Sequence, residues 1–150
     1  MASPPDPSAQ EIELSIDSRL ADVALLGGAV RGVAAVLGFG EAELYHLELC
    51  LVEAASNSVR HAYLSEAGHP VRVRITADAR GIEMRVADRG RPIPAERRTP
   101  PVLEVDPRNL EALHEGGRGV FLMHTLMDEV RFATDDGWNE VILVKRRGGS

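Results

Sequence analysis

The sequence predicts an α+β fold: a two-layer α/β sandwich with helices on one face of a mixed, mainly antiparallel sheet. Three observations carry that reading. Several short runs alternate apolar and polar residues with the two-residue period of a strand. Longer stretches repeat apolar residues at helical spacing. Their order, β-α-α-β-β-loop-α-β-β, includes two strand pairs joined by short turns, which favours antiparallel neighbours with the helices gathered on one side.

The opening "MASPPDPSAQ", residues 1–10, reads as a disordered tail. In "EIELSID", Ile12, Leu14 and Ile16 alternate with polar residues, predicting the first strand. Asp17 or Ser18 then caps a helix through about Leu37, stopped by "GFG". Gly27, Gly28 and Gly32 each cost that helix roughly 1 kcal/mol against alanine; close approach of another backbone or mere tolerance accounts for them equally. A second helix spans about Glu41 to Leu64, with Leu44, Leu47, Leu51, Val52, Ala55, Val59 and Ala62 on one side. "VRVRITA" and "GIEMRVA", joined by "DARG", predict a hairpin. From Asp88 to about Gly117 there is no clean period and there are Pro92, Pro94, Pro100, Pro101 and Pro107, so this is a long loop of the functional or mobile kind. "GVFLMHTLMDEV" predicts a helix, and "VRFAT" and "NEVILVKR" flank the turn "DDGW". Residues 11–147 read as one domain.

The composition narrows the function classes. At 150 residues the chain can bury one sizeable core. A net charge of −6 argues against direct nucleic-acid binding, which needs a basic face. Cys50 is the sole cysteine, no apolar run reaches bilayer length, and the start lacks a signal peptide, so a reduced, cytoplasmic protein without membrane contact is expected. His and Cys are dispersed, without zinc spacing.

Three polar clusters stand out. In "EAASNSVRHAY", Glu53, Asn57 and His61 recur every four residues and share one helix stripe. The stripe is either a solvated face or a site in which the Asn57 amide reaches a magnesium ion and Glu53 accepts a proton; His61 suits a helix surface or a cavity wall. In "VADRGRPIP", Asp88 ends a strand and Gly90 follows, forming either a polar turn or a carboxylate that reads an exocyclic amine beside a glycine that admits a flat ring. In "EGGRGVFLMH", Gly116, Gly117 and Gly119 open a helix, a common structural device that also suits phosphate, although the lysine and spacing of a P-loop are missing. Taken together and in this order, the clusters are far more specific than any one alone.

Those residues resemble the GHKL superfamily, the Bergerat-fold ATPases. "EAASNSVRHAY" resembles its N-box, "DRGRPIP" its G1 box and "GGRGVF" its G2 box, and the match runs from about Ile12 to Lys145. Within the superfamily the chain looks most like the anti-sigma-factor serine/threonine kinases. The resemblance implies a Bergerat fold holding ATP and Mg2+, with residues 91–116 as a lid. It implies Glu53 as general base, Asn57 as magnesium ligand and Asp88 as reader of the adenine amine. Gly90 and Pro94 would shape the adenine wall, and Gly117, Gly119, Val120 and Phe121 would begin the helix under the phosphates. His61 joins the nucleotide site on this reading. Some members carry an arginine just before the G2 glycines; here Glu115 and Gly116 occupy that area, and Arg118 either meets the transferring phosphate or points to solvent. Asn139 stands where a threonine is frequent near the adenine, and Pro92 where a small residue is common.

The expected function follows from that resemblance: an ATP-dependent protein-serine kinase and anti-sigma factor that phosphorylates a STAS-type antagonist, sequesters a sigma factor and forms a homodimer. The alternative is an inactive ATP-binding interaction module in the same kind of partner switching. A sensor histidine kinase fits less well, because the first histidine, His46, falls after the first predicted helix.

Overall fold

The structure is a computed structural model that describes residues 9–98 and 115–148, apart from the side chains of residues 97 and 115–118. Strand β1 (Gln10–Asp17) is followed by helices α1 (Leu20–Val36) and α2 (Glu41–Asn57), and α2 runs into a π-helical turn, Ser58–Ala62. Strands β2 (Pro70–Asp78) and β3 (Gly81–Asp88), the short helix α3 (Ala95–Arg98), helix α4 (Glu115–Leu126) and strands β4 (Glu129–Asp135) and β5 (Trp138–Arg146) complete the order. The expected tail reaches no further than residue 9, because Gln10 already pairs with Ala77; residues 1–8 lie outside the described residues. Most of the expected lid, 99–114, lies outside them too.

One five-stranded sheet has the order β1-β2-β3-β5-β4. The sheet expected to be mixed is antiparallel at all four pairings. Both strand pairs that follow each other directly are closed by two-residue turns, and β5 inserts beside β3 in antiparallel sense. At the β4–β5 turn Asp136 and Gly137 both take positive φ (50° and 81°), the pairing that matches strand twist.

The helices cover one face, as expected. Along β2, Val71, Val73, Ile75 and Ala77 point inward; along β3, Ile82, Met84 and Val86 do so. They meet Leu26, Leu47, Leu51, Met123 and Leu143 in the core. The period that buries Ile82, Met84 and Val86 also buries the next residue in step, Asp88.

The glycines of α1 divide. A Cβ on buried Gly27 would stand 2.8 Å from Val52 Cγ2 on α2, whereas Gly28 and Gly32 face open space. Close packing accounts for the first and tolerance for the other two.

Three boundaries differ from expectation. Arg19 is the N-cap of α1 and makes no side-chain cap. Ser18 Oγ instead donates to Glu66 O (2.7 Å) and accepts from His69 N (3.1 Å), while Asp17 accepts from Gly68 N, so both residues tie the corner to the loop before β2. The second helix ends at Ala62 rather than Leu64: Tyr63 N bonds Ser58 O in the π pattern, and Leu64 and Ser65 have positive φ. Helix α4 stops at Leu126, whose carbonyl accepts from Lys145 Nζ (2.8 Å); Asp128 N then bonds Val144 O, and Glu129 and Val130 join the sheet. Among the described residues no helix is long and apolar enough to cross a membrane.

Candidate functional site

A cavity of about 290 Å³ opens between the inner face of β3, β5 and β4 and the helices. Its lining includes Asn57, Ser58 and His61 from α2 and its π turn, Asp88 from β3, the segment 91–94, Val120 from α4 and Thr134 and Asn139 from the last hairpin. The volume sits near the lower end of the range for small-molecule sites, and the mixture of apolar walls with a few convergent polar groups is typical of them.

Asp88 is the polar floor, 7% exposed. Its Oδ2 accepts from Ser58 Oγ (2.8 Å), and its Oδ1 accepts from Gly90 N (3.0 Å) and Asn139 Nδ2 (2.9 Å). A carboxylate has about four acceptor positions, so these three bonds hold it while leaving capacity for one more donor. Asn139 reaches it because Asp88 and Asn139 are register partners across β3 and β5.

Gly90 owes its place to the π turn. A Cβ there would lie 2.4 Å from Ala62 O, and Arg91 N donates to that same oxygen (3.0 Å). The expected reason, room for a flat ring, is therefore joined by a stricter one within the fold. Tyr63 fastens the corner: its hydroxyl donates to Pro70 O and accepts from Arg89 N, both at 2.6 Å.

The carboxylate–amide column meets the glycine helix at Gly119. A Cβ on this buried residue would stand 2.8 Å from Glu53 Oε2 and 3.4 Å from Asn57 Nδ2. The two clusters, more than sixty positions apart in sequence, thus share one seam. Asn57 also lines the cavity, and His61 Nε2 is buried there without a hydrogen-bond partner among the described residues. A buried nitrogen so placed is an available polar contact for a ligand.

Other expected residues divide. Gly90 and Gly119 abut the site, and Pro94 and Val120 line it, whereas Phe121 is not in the lining. Gly117 and Arg118 fall in the first turn of α4, and the Arg118 side chain lies outside the described residues. Asn139, expected near the base, lines the cavity and there braces Asp88 and Gly90 O.

Sequence reasoning missed Ser58, Thr134, Ile93 and Phe132 in the wall. Ser58 carried a signal, a short polar residue on the apolar side of a helix, where only a partner justifies burial. Ile93 lay within the "DRGRPIP" stretch already singled out, whereas Thr134 and Phe132 carried no signal, since they reach the wall only through the β4–β5 return.

Beside the site, Cys50 is fully buried and its thiol is pushed up to about 12, chiefly by burial, with Lys145 lowering it and Glu53 raising it. Such a thiol is inert near neutral pH.

Comparison with known proteins agrees with this fold. The family described as "Histidine kinase-like ATPase domain" matches residues 16–145. The serine-protein kinase RsbW of Bacillus subtilis is 30% identical over 131 residues, covering 87% of this chain and 82% of that protein. RsbW of Listeria monocytogenes is 30% identical over 133 residues, covering 88% and 85%. A crystal structure of the RsbU and RsbW domains of a Mycobacterium tuberculosis protein superposes with a TM-score of 0.60 at 16% identity, over 91% of this chain and 32% of that one, which shows the shared fold. With a five-stranded antiparallel sheet under its helices and a polar cavity between them, the chain belongs to the histidine kinase-like ATPase domain family, among the relatives of the RsbW serine-protein kinases.

Proposed function

We propose that this chain is a cytoplasmic protein-serine kinase and anti-sigma factor of 11–147 single-domain design, with residues 91–116 as its lid. It transfers the γ-phosphoryl group of ATP to a serine of a STAS-type antagonist and, as a homodimer, holds a sigma factor when that antagonist is absent. The observation that carries the reading is the meeting of Glu53 and Asn57 with Gly119 at one seam, beside a cavity floored by Asp88.

The residues fit an adenine nucleotide. Asp88 has acceptor capacity left for an exocyclic amine, and the wall above it is apolar through Ile93, Val120 and Val141. His61 Nε2 offers an unpartnered polar contact. The first turn of α4, with Gly116, Gly117 and Arg118, supplies backbone amides of the kind that bind phosphate. Among the described residues no three His, Cys, Asp or Glu side chains converge, so Asn57 is the protein ligand proposed for Mg2+, the other ligands being phosphate oxygens and water. Magnesium, when bound, supplies charge neutralisation on the phosphates. Glu53 takes the proton of the attacking serine hydroxyl, and Arg118 steadies phosphoryl charge.

The test is Glu53→Gln, an exchange that keeps shape and removes basicity. We expect ATP affinity within about threefold of wild type and transfer of label from [γ-32P]ATP to the antagonist reduced at least 100-fold, at the low end of what a general base contributes. Labelling at the wild-type rate would remove Glu53 from the mechanism. If the wild type binds ATP but labels no antagonist, the chain is an ATP-binding interaction module instead.

A further inference from the structure

We propose that Asn139 is a positioning residue that sets base specificity: by holding the Asp88 carboxylate it makes the cavity accept a 6-amino purine and refuse a 6-keto one. The proposal rests on the nucleotide reading of the cavity above and extends it to a residue that the fold uses differently from a direct ligand.

Asn139 Nδ2 donates to Asp88 Oδ1 at 2.9 Å and to Gly90 O at 2.8 Å. A side-chain amide has two N–H hydrogens, and both are committed. What Asn139 has left is a carbonyl oxygen, an acceptor. Ser58 is committed as well, its hydroxyl donating to Asp88 Oδ2 at 2.8 Å. Gly90 N, the third donor to the carboxylate, bonds Asp88 Oδ1 at 3.0 Å. The polar floor therefore shows its guest acceptors.

That pattern decides the guest. A 6-amino purine brings an N–H to the floor and pairs with it. A 6-keto purine brings an oxygen, so acceptor faces acceptor in a buried site and both sides lose their water without gaining a bond. The discrimination depends on the carboxylate staying put. Rotation about its terminal torsion is soft in carboxylates, and here three donors from three separate segments arrest it: the π turn, the residues after β3, and β5. Asn139 alone among them also grips Gly90 O, so it fixes the carboxylate and the start of the 91–94 wall with one group. A hydroxyl at position 139 has one hydrogen and can hold only one of those two acceptors.

The experiment measures dissociation constants for ATP and ITP, with excess magnesium chloride, by calorimetry on wild type, Asn139→Ala and Asn139→Thr, with thermal midpoints recorded for each. Wild type is expected to favour ATP at least 100-fold. Asn139→Ala should cut that ratio about tenfold, mainly through weaker ATP binding, and Asn139→Thr should fall between the two. A folded Asn139→Ala that keeps the wild-type ratio overturns the role of Asn139, and so does an equal loss for both nucleotides, which marks a purely structural part. If Asn139→Ala does not fold, Asn139→Thr decides alone: an intermediate ratio supports the proposal and an unchanged one overturns it. Wild type that binds neither nucleotide overturns the nucleotide reading itself, a result distinct from any of these.

Discussion

The two faces of the sheet use the same chemical groups to opposite ends. On the outer face Arg74 meets Glu13 (2.7 Å) and Glu11 (3.4 Å), Arg85 meets Glu83 (2.7 Å) and Glu140 (3.1 Å), and Arg131 meets Glu83 (3.6 Å). Trp138 lies under Arg72 and Arg89, whose guanidinium carbons are 4.3 and 5.1 Å from its ring centre. Water competes for every one of these charges, so each pair contributes little and is replaceable. On the inner face the Asp88 carboxylate is shut away with three neutral donors. There an unmade bond has no water to replace it, so the arrangement must be complete and is nearly unique. The difference teaches that a site is marked less by charge than by polar groups buried with their geometry fixed.

The severest way to break that contrast is Gly90→Ala. The added methyl would meet the backbone oxygen of Ala62 at 2.4 Å and its carbonyl carbon at 2.5 Å, and backbone cannot swing aside as a side-chain tip can. We expect a loss of about 3 kcal/mol in urea unfolding, at the upper end for overpacking, and at least tenfold weaker ATP binding as the Gly90–Asp88 bond shifts. The matched control on the other side of the molecule is Gly28→Ala, where nothing stands within 4 Å and the helix should gain rather than lose stability. Equal behaviour of the two variants would show that the π turn is not the constraint.

Much of this is legible in the sequence, and the reason is periodicity. The alternation in "GIEMRVAD" buries Ile82, Met84 and Val86 and so places Asp88 under the helices. The four-residue recurrence of Glu53, Asn57 and His61 likewise fixed their common stripe, although not what faces it. What could not be read was long-range convergence. That Gly119 abuts Glu53, or that Asn139 lies beside Asp88, depends on how α4 and β5 return to the sheet, and no local spacing encodes that. The helix ends failed for a related reason. Leu64 fits a helical wheel, yet Tyr63 is claimed by Pro70 and Arg89, and a tertiary anchor overrides weak local preference.

A smaller effect sharpens the contrast by titration. The Cys50 thiol, at about 12 in the folded chain, keeps its proton where an unfolded thiol, near 9, has lost it. The folded state therefore binds more protons between those values, so stability is unaffected below pH 9 and falls as pH rises from about 9 towards 12, by about 1.4 kcal/mol per unit. Tyr63, also raised by burial, adds to the alkaline loss. Urea midpoints at pH 8.5 and 10.5 for wild type and Cys50→Ala separate the two residues, because both proteins retain Tyr63. We expect the wild type to lose distinctly more than Cys50→Ala over that interval; parallel curves would mean that the thiol is not desolvated.

The smallest effect belongs to the outer face. Arg85→Ala removes the guanidinium between Glu83 and Glu140, a half-exposed side chain in contact with water. Surface pairs of this kind contribute about 0.5 kcal/mol, and added salt screens them, so the stability lost should shrink further in 0.5 M sodium chloride. Its value lies in what it reads about the site. Glu140 lines the inner cavity as well as the outer groove, and it follows Asn139 directly in β5. If the two faces are independent, ATP affinity should stay within twofold of wild type when Arg85 is removed. A tenfold loss would mean that the outer lattice sets the position of β5 and, through Asn139, the grip on Asp88. In that case the surface charges belong to the site, and the distinction between the faces fails.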